Sequence, residues 1–153
     1  MRIAISSDEV TGIAGRLRGE LEARGHRVVA AHGALAEGER PDWAWASEAA
    51  ARDVAERRAD QAVICCWTGT GASIAANKVA GARAALCGDA ETAAGARRWN
   101  DANVLALSLR ATSEAKLDEI LSAWFDAAPS EDPGDRANIA HLDELRPAGD
   151  GAQ

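Results

Sequence analysis

A cysteine at the end of an apolar run, followed by a glycine-rich loop, is the part of the sequence most able to carry out chemistry. In "QAVICCWTGTGASIAANK", residues 61–78, the apolar part ends at Cys66 and a Gly/Thr loop follows. Glycines let a ligand approach the backbone, and unpaired amides at a helix start, here those of residues 71–73, favour negative charge. The same helix end favours the thiolate form of Cys66, which can act as a base or a nucleophile.

The loop by itself has more than one interpretation. Gly69-Thr70-Gly71 continues as Ala-Ser-Ile, which is neither a dinucleotide-binding fingerprint nor a phosphate-binding P-loop. Spacing alone therefore leaves anion binding and an ordinary strand-to-helix turn equally open. Cys65 and Cys87 are expected to be small buried side chains in strands. No second cysteine or histidine pair lies at ligand spacing, so no metal site is predicted.

The loop must be positioned by a strand before it and a helix after it, and the chain repeats this alternation five times. Strands are predicted at residues 2–6, 27–31, 60–66, 83–88 and 103–109, and helices at 10–26, 43–59, 71–79, 90–99 and 113–127. Such alternation of apolar strands with helices predicts an α/β fold, a five-stranded parallel sheet covered by helices on both faces. In this fold, ligands bind beyond the carboxyl ends of the strands.

The composition changes after Ala128, where prolines and charges accumulate. Residues 1–128 are therefore predicted to form one domain, and residues 129–153 a C-terminal tail. Within the tail, residues 135–145 could form a short helix that packs on a neighbouring subunit, and residues 146–153 are expected to be frayed. His26 and His32, which flank the second strand, are expected at the surface or in turns.

Charge and hydropathy exclude several classes of function. The net charge of −7 and the sequence pI near 4.9 argue against nucleic acid as a partner. No apolar run is long enough to cross a bilayer, and the N-terminus lacks the apolar core of a signal peptide. We therefore expect a cytoplasmic protein without a membrane partner, whose three cysteines remain reduced.

One long segment resembles a known family. "ICCWTGTGASIAANKVAGARAALCGDAETAAGARRWNDANVLALSLR" is similar to the type B ribose-5-phosphate isomerases and their galactose-6-phosphate isomerase relatives, and the similarity runs from Met1 to about Asp126. The resemblance implies an enzyme that interconverts aldose and ketose sugar phosphates without a metal or organic cofactor. It also implies a Rossmann-like three-layer α/β/α sandwich, in homodimers or homotetramers whose active sites lie between subunits.

The resemblance also assigns roles to individual residues. Cys66, with Thr68 beside it, would move a proton between C1 and C2 through an enediolate. The amides of the loop Gly69–Ser73 would hold the developing oxyanion. The substrate-binding residues that it implies are Asp8, Gly69, Thr70, Gly71, Ser73, Asn100 from a partner subunit and Arg136, which would grip the phosphate in the neighbouring site. Asn77 and Lys78 match the end of the loop helix.

Four positions depart from the family pattern, and they suggest an altered substrate. Glu9 replaces a histidine after the first strand, and Trp99 replaces the histidine that opens the sugar ring. Trp67 stands where a glycine is usual, and Trp43 where a tyrosine is usual. The three indoles are expected to line the pocket and stack on a ligand, whereas Trp45 and Trp124 are expected to pack helices against the sheet or line a subunit contact.

Three functions follow from these observations. The first is a sugar-phosphate isomerase with Cys66 as base, and the four departures suggest an open-chain or shorter sugar phosphate as its substrate. The second is a non-catalytic or regulatory protein that binds a sugar phosphate. The third is a different enzyme, such as an isomerase of a short-chain sugar, that acts on a non-phosphorylated polyol or sugar. Glu9 would suit this third function because its carboxylate repels phosphate. The cysteine favours an enzyme, because a protein that only binds gains nothing from a thiolate there.

Overall fold

Five parallel strands form a single sheet in the order β2-β1-β3-β5-β4. The structure is a computed structural model and describes residues 1–145. The strands are β1 (Arg2–Ser7), β2 (Arg27–Gly33), β3 (Gln61–Cys66), β4 (Ala84–Leu86) and β5 (Val104–Ser108). The helices are α1 (Leu17–Ala23), α2 (Trp43–Ala55), α3 (Thr70–Ala76), α4 (Ala90–Asn100), α5 (Glu114–Asp126) and α6 (Pro133–Glu144). The chain winds outward in opposite directions from β1 and β3, so the crevice between these strands is the switch point where such folds bind ligands.

Helices cover both faces of the sheet, and the predicted α/β fold is confirmed. Side chains that alternate along each strand enter two separate cores. One core lies under α1, α4 and α5 and holds Cys65, and the other lies under α2 and α3 and holds Cys66. The second core is built largely from alanines, so α2 and α3 lie close against the strands and against the loop that follows β3.

Two contacts fix β3 to its neighbours at the amino end of the sheet. The indole N–H of the fully buried Trp124 donates to Oε1 of Gln61 at 2.7 Å, which joins α5 to the first residue of β3. Asp60, just before β3, accepts hydrogen bonds from the backbone N–H and the guanidinium of Arg2, both at 2.7 Å. These contacts hold the register of the strands that carry the loops at the other end.

Several elements are shorter than the sequence predicts, for local reasons. The helix predicted at 10–26 is a 3₁₀ turn, Gly12–Arg16, followed by α1, because Gly12 has a φ of 56°, which a helix interior does not allow. The helix predicted at 43–59 ends at Ala55, since Arg57 has a φ of 60°. The helix predicted at 71–79 begins one residue earlier, at Thr70, and ends at Ala76.

The tail contains the predicted helix, α6, which begins two residues earlier than expected. The Asp132 carboxylate caps it by accepting the amides of Gly134 and Asp135. Helix α6 lies beside α4 of its own chain, and none of its residues is buried. Its Asp143 forms an ion pair at 2.9 Å with Arg83, the residue before β4. The segment predicted to be frayed, residues 146–153, lies outside the described residues. No helix within residues 1–145 is both long and apolar enough to cross a membrane.

Candidate active site

Cys66 is the last residue of β3 and lies beside the switch point of the sheet. The residue is only 4% exposed, so it is almost completely enclosed. The amide N–H of Gly69 donates to the sulfur at 3.2 Å. This hydrogen bond fixes the sulfur against the start of the glycine loop.

The loop after Cys66 folds this way because residue 69 is a glycine. Gly69 has a φ of 76°, and a Cβ there would lie 2.5 Å from Cδ1 of Leu86 and 2.9 Å from the carbonyl carbon of Leu107. A side chain at this position would therefore push the loop off β5. The hydroxyls of Thr68 and Thr70 lie 2.7 Å apart at the mouth of the loop.

The amides that are available to an anion differ by one position from those that the sequence suggests. The sequence suggests that the amide of Ser73 is unpaired. In the structure it donates to the carbonyl of Gly69 at 3.0 Å, because α3 begins at Thr70. The amides of Thr70, Gly71 and Ala72 precede this first closed bond, and no acceptor within residues 1–145 pairs with them. These three N–H groups are the donors that can meet a negative oxygen.

The end of β5 holds the loop from the other side. The hydroxyl of Ser108 donates to the carbonyl of Trp67 at 2.9 Å, and the amide of Arg110 donates to the same oxygen at 3.1 Å. Arg110 is exposed, so the site has a cation at its rim that the sequence reasoning missed. Its position directly after a strand whose carboxyl end faces the site was the signal that could have identified it.

Asp8 lies across the switch point from Cys66. Strands β1 and β3 pair Ser7 with Cys65, so the next residues, Asp8 and Cys66, lie at the same level at the carboxyl ends of the two strands. The Oδ1 atom of Asp8 is buried and has no partner among the described residues. Burial raises the pKa of the Asp8 carboxyl above its usual range, and the nearby carboxylate of Glu9 adds to this effect. Glu9 itself is exposed and accepts a hydrogen bond from the hydroxyl of Thr11 at 3.2 Å.

Trp43 forms the wall of the site on the side of α2. Its indole lies directly on Gly71, where a Cβ would come within 2.9 Å of the ring atom Cε3. Gly71 therefore leaves room for the ring. The structure thus brings Trp43, Trp67 and the Cys66 loop together at the carboxyl ends of the strands.

Trp99, Asn100 and Arg136 are not brought to Cys66 within one chain. Helix α4 begins beyond the carboxyl end of β4 and runs back antiparallel to the strands. Asn100 therefore lies at the end of the sheet where the strands begin. The ring of Trp99 folds over Gly95 on the outer face of α4, where a Cβ would lie 2.7 Å from it. Arg136 is exposed on α6.

Asn77 and Lys78 line a cavity of about 450 Å³ near the amino ends of the strands. Arg83, Asn100 and Leu142 also line this cavity. The side chain of Asn77 donates to the carbonyl of Ala84 and accepts from its amide, at 2.9 and 2.8 Å. Asn77 therefore extends the edge strand β4, and both ends of its amide group are occupied.

The other two cysteines are buried, as the sequence predicts. Cys65 is fully buried, and burial raises the pKa of its thiol far above the usual value. Burial also raises the pKa of Cys87, to about 12. Within the described part of the chain, no group of three or more acidic, histidine or cysteine side chains is arranged to hold a metal ion.

Known proteins share both the sequence and the fold. The profile of the ribose/galactose isomerase family matches residues 3–141. The galactose-6-phosphate isomerase subunit LacB of Clostridium acetobutylicum is 34% identical over 146 residues, which cover 95% of this chain and 83% of that protein. A D-erythrulose-4-phosphate isomerase of Pectobacterium atrosepticum is 38% identical over 90 residues, 59% of each chain. The type B ribose 5-phosphate isomerase of Trypanosoma brucei superposes with a TM-score of 0.84 at 33% identity, over 94% of this chain and 97% of that one.

The chain therefore belongs to the ribose/galactose isomerase family, and it is an aldose–ketose isomerase.

Proposed function

We propose that the protein isomerises a short, open-chain sugar phosphate through an enediolate, with Cys66 as the base. The observation that carries this proposal is the hydrogen bond from the Gly69 amide to the Cys66 sulfur, beside three unpaired amides. A thiolate and an anion-binding loop at one switch point are the two parts that an enediolate mechanism needs.

The proposed reaction moves one proton from C2 to C1 of the sugar. The Cys66 thiolate removes the proton from C2 of the aldose, and the electron pair moves toward the C1 oxygen. The amides of Thr70, Gly71 and Ala72 hold that oxygen, and such preorganised donors contribute about 3 kcal/mol each in a closed site. The proton of the C2 hydroxyl passes to the C1 oxygen near the Thr68 hydroxyl. Cys66 then returns its proton to C1, which yields the ketose.

The substrate is proposed to be one that needs no ring opening. Trp99 can donate an N–H but cannot accept and return a proton, so it cannot open a ring as a histidine does. In a four-carbon sugar with its phosphate on C4, no free hydroxyl is far enough from the carbonyl to close a five- or six-membered ring. One of the relatives is named a D-erythrulose-4-phosphate isomerase, which acts on such a sugar.

The complete site is proposed to lie between two copies of the chain. Asn100 lies near the amino ends of the strands and Cys66 at a carboxyl end, so only a second copy of the chain could bring the two residues together. In a symmetric dimer the partner would supply Asn100 and Trp99, and Arg136 of the partner would join Arg110 in binding the phosphate.

Proton exchange during turnover tests the chemistry directly. The protein is incubated in D2O with a tetrulose 4-phosphate, ribose 5-phosphate and galactose 6-phosphate, and deuterium at the exchanging carbon is followed by NMR. We expect incorporation that is fastest with the four-carbon sugar, and a loss of about 3 to 5 orders of magnitude in rate for Cys66→Ala. Cys87→Ala, which removes a buried thiol outside the proposed site, is the matched control. Preference for ribose 5-phosphate would reject the open-chain substrate.

Mixing two inactive variants tests the shared site. Cys66→Ala and Asn100→Ala are combined after partial unfolding and refolded together. Hybrid dimers contain one intact site, so about a quarter of the wild-type activity should return. No recovery in a mixture that demonstrably forms hybrids would place both residues in the same subunit's site, or Asn100 outside it.

A second candidate, an isomerase of a non-phosphorylated sugar, is favoured by one observation. Glu9 places an exposed carboxylate next to Asp8 at the mouth of the site. Calorimetric titration of the wild type and of Glu9→Gln with a tetrulose and its 4-phosphate separates the two candidate functions. Tighter binding of the free sugar by the wild type would support this second function.

A further inference from the structure

His32, at the end of β2, is held between two carboxylates outside the proposed catalytic centre. Its Nε2 atom lies 2.6 Å from Oδ2 of Asp53 on α2, and its Nδ1 atom lies 3.2 Å from the carboxylate of Glu39 in the loop 34–42. The imidazole ring therefore bridges α2 and the loop 34–42. His32 is half-buried between these two carboxylates, and it is not the surface or turn residue that the sequence suggests.

The groups around this imidazole ring make it the link between the loop and α2. Asp53 is 5% exposed, and its second oxygen accepts from Nε of Arg58 at 2.7 Å. Glu39 also accepts the backbone N–H of Gly33 at 3.0 Å. On β1 the residue paired with His32 is the uncharged Ser6. Glu39, Asp53 and Arg58 are therefore the charged groups of this cluster.

The loop that His32 anchors leads directly into the wall of the site. Its first residue, Ala34, donates to the carbonyl of Ser7 at 2.8 Å, and its last residue precedes Trp43. Gly33, just before the loop, packs so closely on β1 that a Cβ there would lie 2.5 Å from the same Ser7 oxygen. The Glu39 contacts thus fix the second half of this loop, which leads into Trp43, the first residue of α2, whose indole lies on Gly71.

We propose that His32 is a positioning residue, which clamps the loop 34–42 through Glu39 and so holds Trp43 against the anion-binding loop. Asp53 holds the ring from α2 through the shorter and more buried contact, so loss of the Glu39 acceptor should free the loop and leave the ring in place. The expected kinetic consequence of losing the clamp is weaker substrate binding with chemistry little changed; this part alone rests on the proposed function.

Hydrogen exchange in the full-length protein tests the clamp without any substrate. Glu39→Gln removes the charged acceptor, and Glu37→Gln, an exposed residue of the same loop, is its matched control. At one pH, amides of residues 34–43 should exchange about 10-fold faster in Glu39→Gln than in the control, and those of 67–73 should follow. Equal exchange in the two variants would overturn the proposal. Faster exchange confined to 34–43 would also overturn it, since the loop would then be uncoupled from the site.

Steady-state kinetics of the same two variants test the consequence for the site. The KM of Glu39→Gln should be about 10-fold higher than that of Glu37→Gln, with kcat equal in both. Equal KM values in the two variants would overturn the proposal. If no sugar phosphate is turned over, the proposed function fails, and the exchange experiment still decides whether the clamp exists.

Discussion

At the residue scale, three chemically identical thiols are distinguished only by their surroundings. Cys65 points into one core and Cys66 toward the other, as alternation along a strand requires, so their different environments could be predicted from the sequence. The hydrogen bond from the Gly69 amide to the Cys66 sulfur could not be predicted from the sequence, because it depends on the left-handed turn at Gly69. The error over the Ser73 amide has the same origin, since a helix start is uncertain by a residue or two from the sequence.

Alkylation should distinguish the three thiols. Cys65 and Cys87 stay protonated near neutral pH because burial raises the pKa of each, so Cys66 should be the residue that iodoacetamide modifies in the folded protein. Mass spectrometry should show one label per chain, and the label should disappear in Cys66→Ser. Saturating substrate should slow the labelling. Modification of Cys65 or Cys87 at a similar rate would contradict the described burial.

Gly71→Ala should weaken substrate binding. Its Cβ would lie within 2.9 Å of the Trp43 ring, so the indole must move away from the loop. We expect KM to rise about 10-fold with little change in the melting temperature, because the Trp43 ring is partly exposed and can swing outward. Gly15→Ala, where a Cβ meets nothing within 4 Å, is the control. An unchanged KM would show that the indole does not shape the site.

At the element scale, the pattern of apolar runs predicted the strands and α-helices found within residues 1–145, and the errors fall at their ends. Gly12 and Arg57 have positive φ values and shorten two helices. Strand β4 has only three residues, and the Asn77 side chain supplies the pairing that its backbone lacks. Such end effects depend on side chains distant in sequence or on single dihedral angles, and periodicity does not contain that information.

Trp124→Phe should destabilise the fold without touching the site. It removes the N–H that pairs with the buried Gln61 side chain and leaves that oxygen without its donor. The expected cost is about 1 to 3 kcal/mol of unfolding free energy, the range for a buried polar group that loses its partner. Urea denaturation measures it, and Trp45→Phe, at an exposed position, should lie within about 0.5 kcal/mol of the wild type. Equal effects in both variants would refute this account of Trp124.

At the scale of the whole molecule, the order of the strands decides which residues can meet. The sequence predicted a parallel sheet, but the order β2-β1-β3-β5-β4 is a property of the complete fold. It places Asp8 opposite Cys66, while the return of α4 to the amino ends of the strands carries Asn100 away from both. Motif spacing could name these residues, yet the distances between them depend on the direction in which each connection crosses the sheet.

The ion pair between β1 and the start of β3 should make stability depend on pH in acid. Hydrogen bonds from Arg2 lower the pKa of Asp60, so this carboxylate stabilises the fold above about pH 4, the usual Asp pKa, and the stabilisation is lost as the pH falls through the lower folded value. The melting temperature of the wild type should exceed that of Asp60→Asn at pH 6, and the difference should shrink below pH 4. A difference that is constant with pH would contradict this assignment.

The distribution of the indoles gives the protein its own optical reporter. The chain has five tryptophans and no tyrosine, so its near-ultraviolet emission comes from indole alone. Trp43, Trp45, Trp67 and Trp99 are 45 to 54% exposed, whereas Trp124 is fully buried. Acrylamide should therefore quench most of the fluorescence and leave a blue-shifted remainder from Trp124. A ligand that enters beside Trp43 and Trp67 should shield part of the quenchable fraction, so binding can be followed on the unmodified protein.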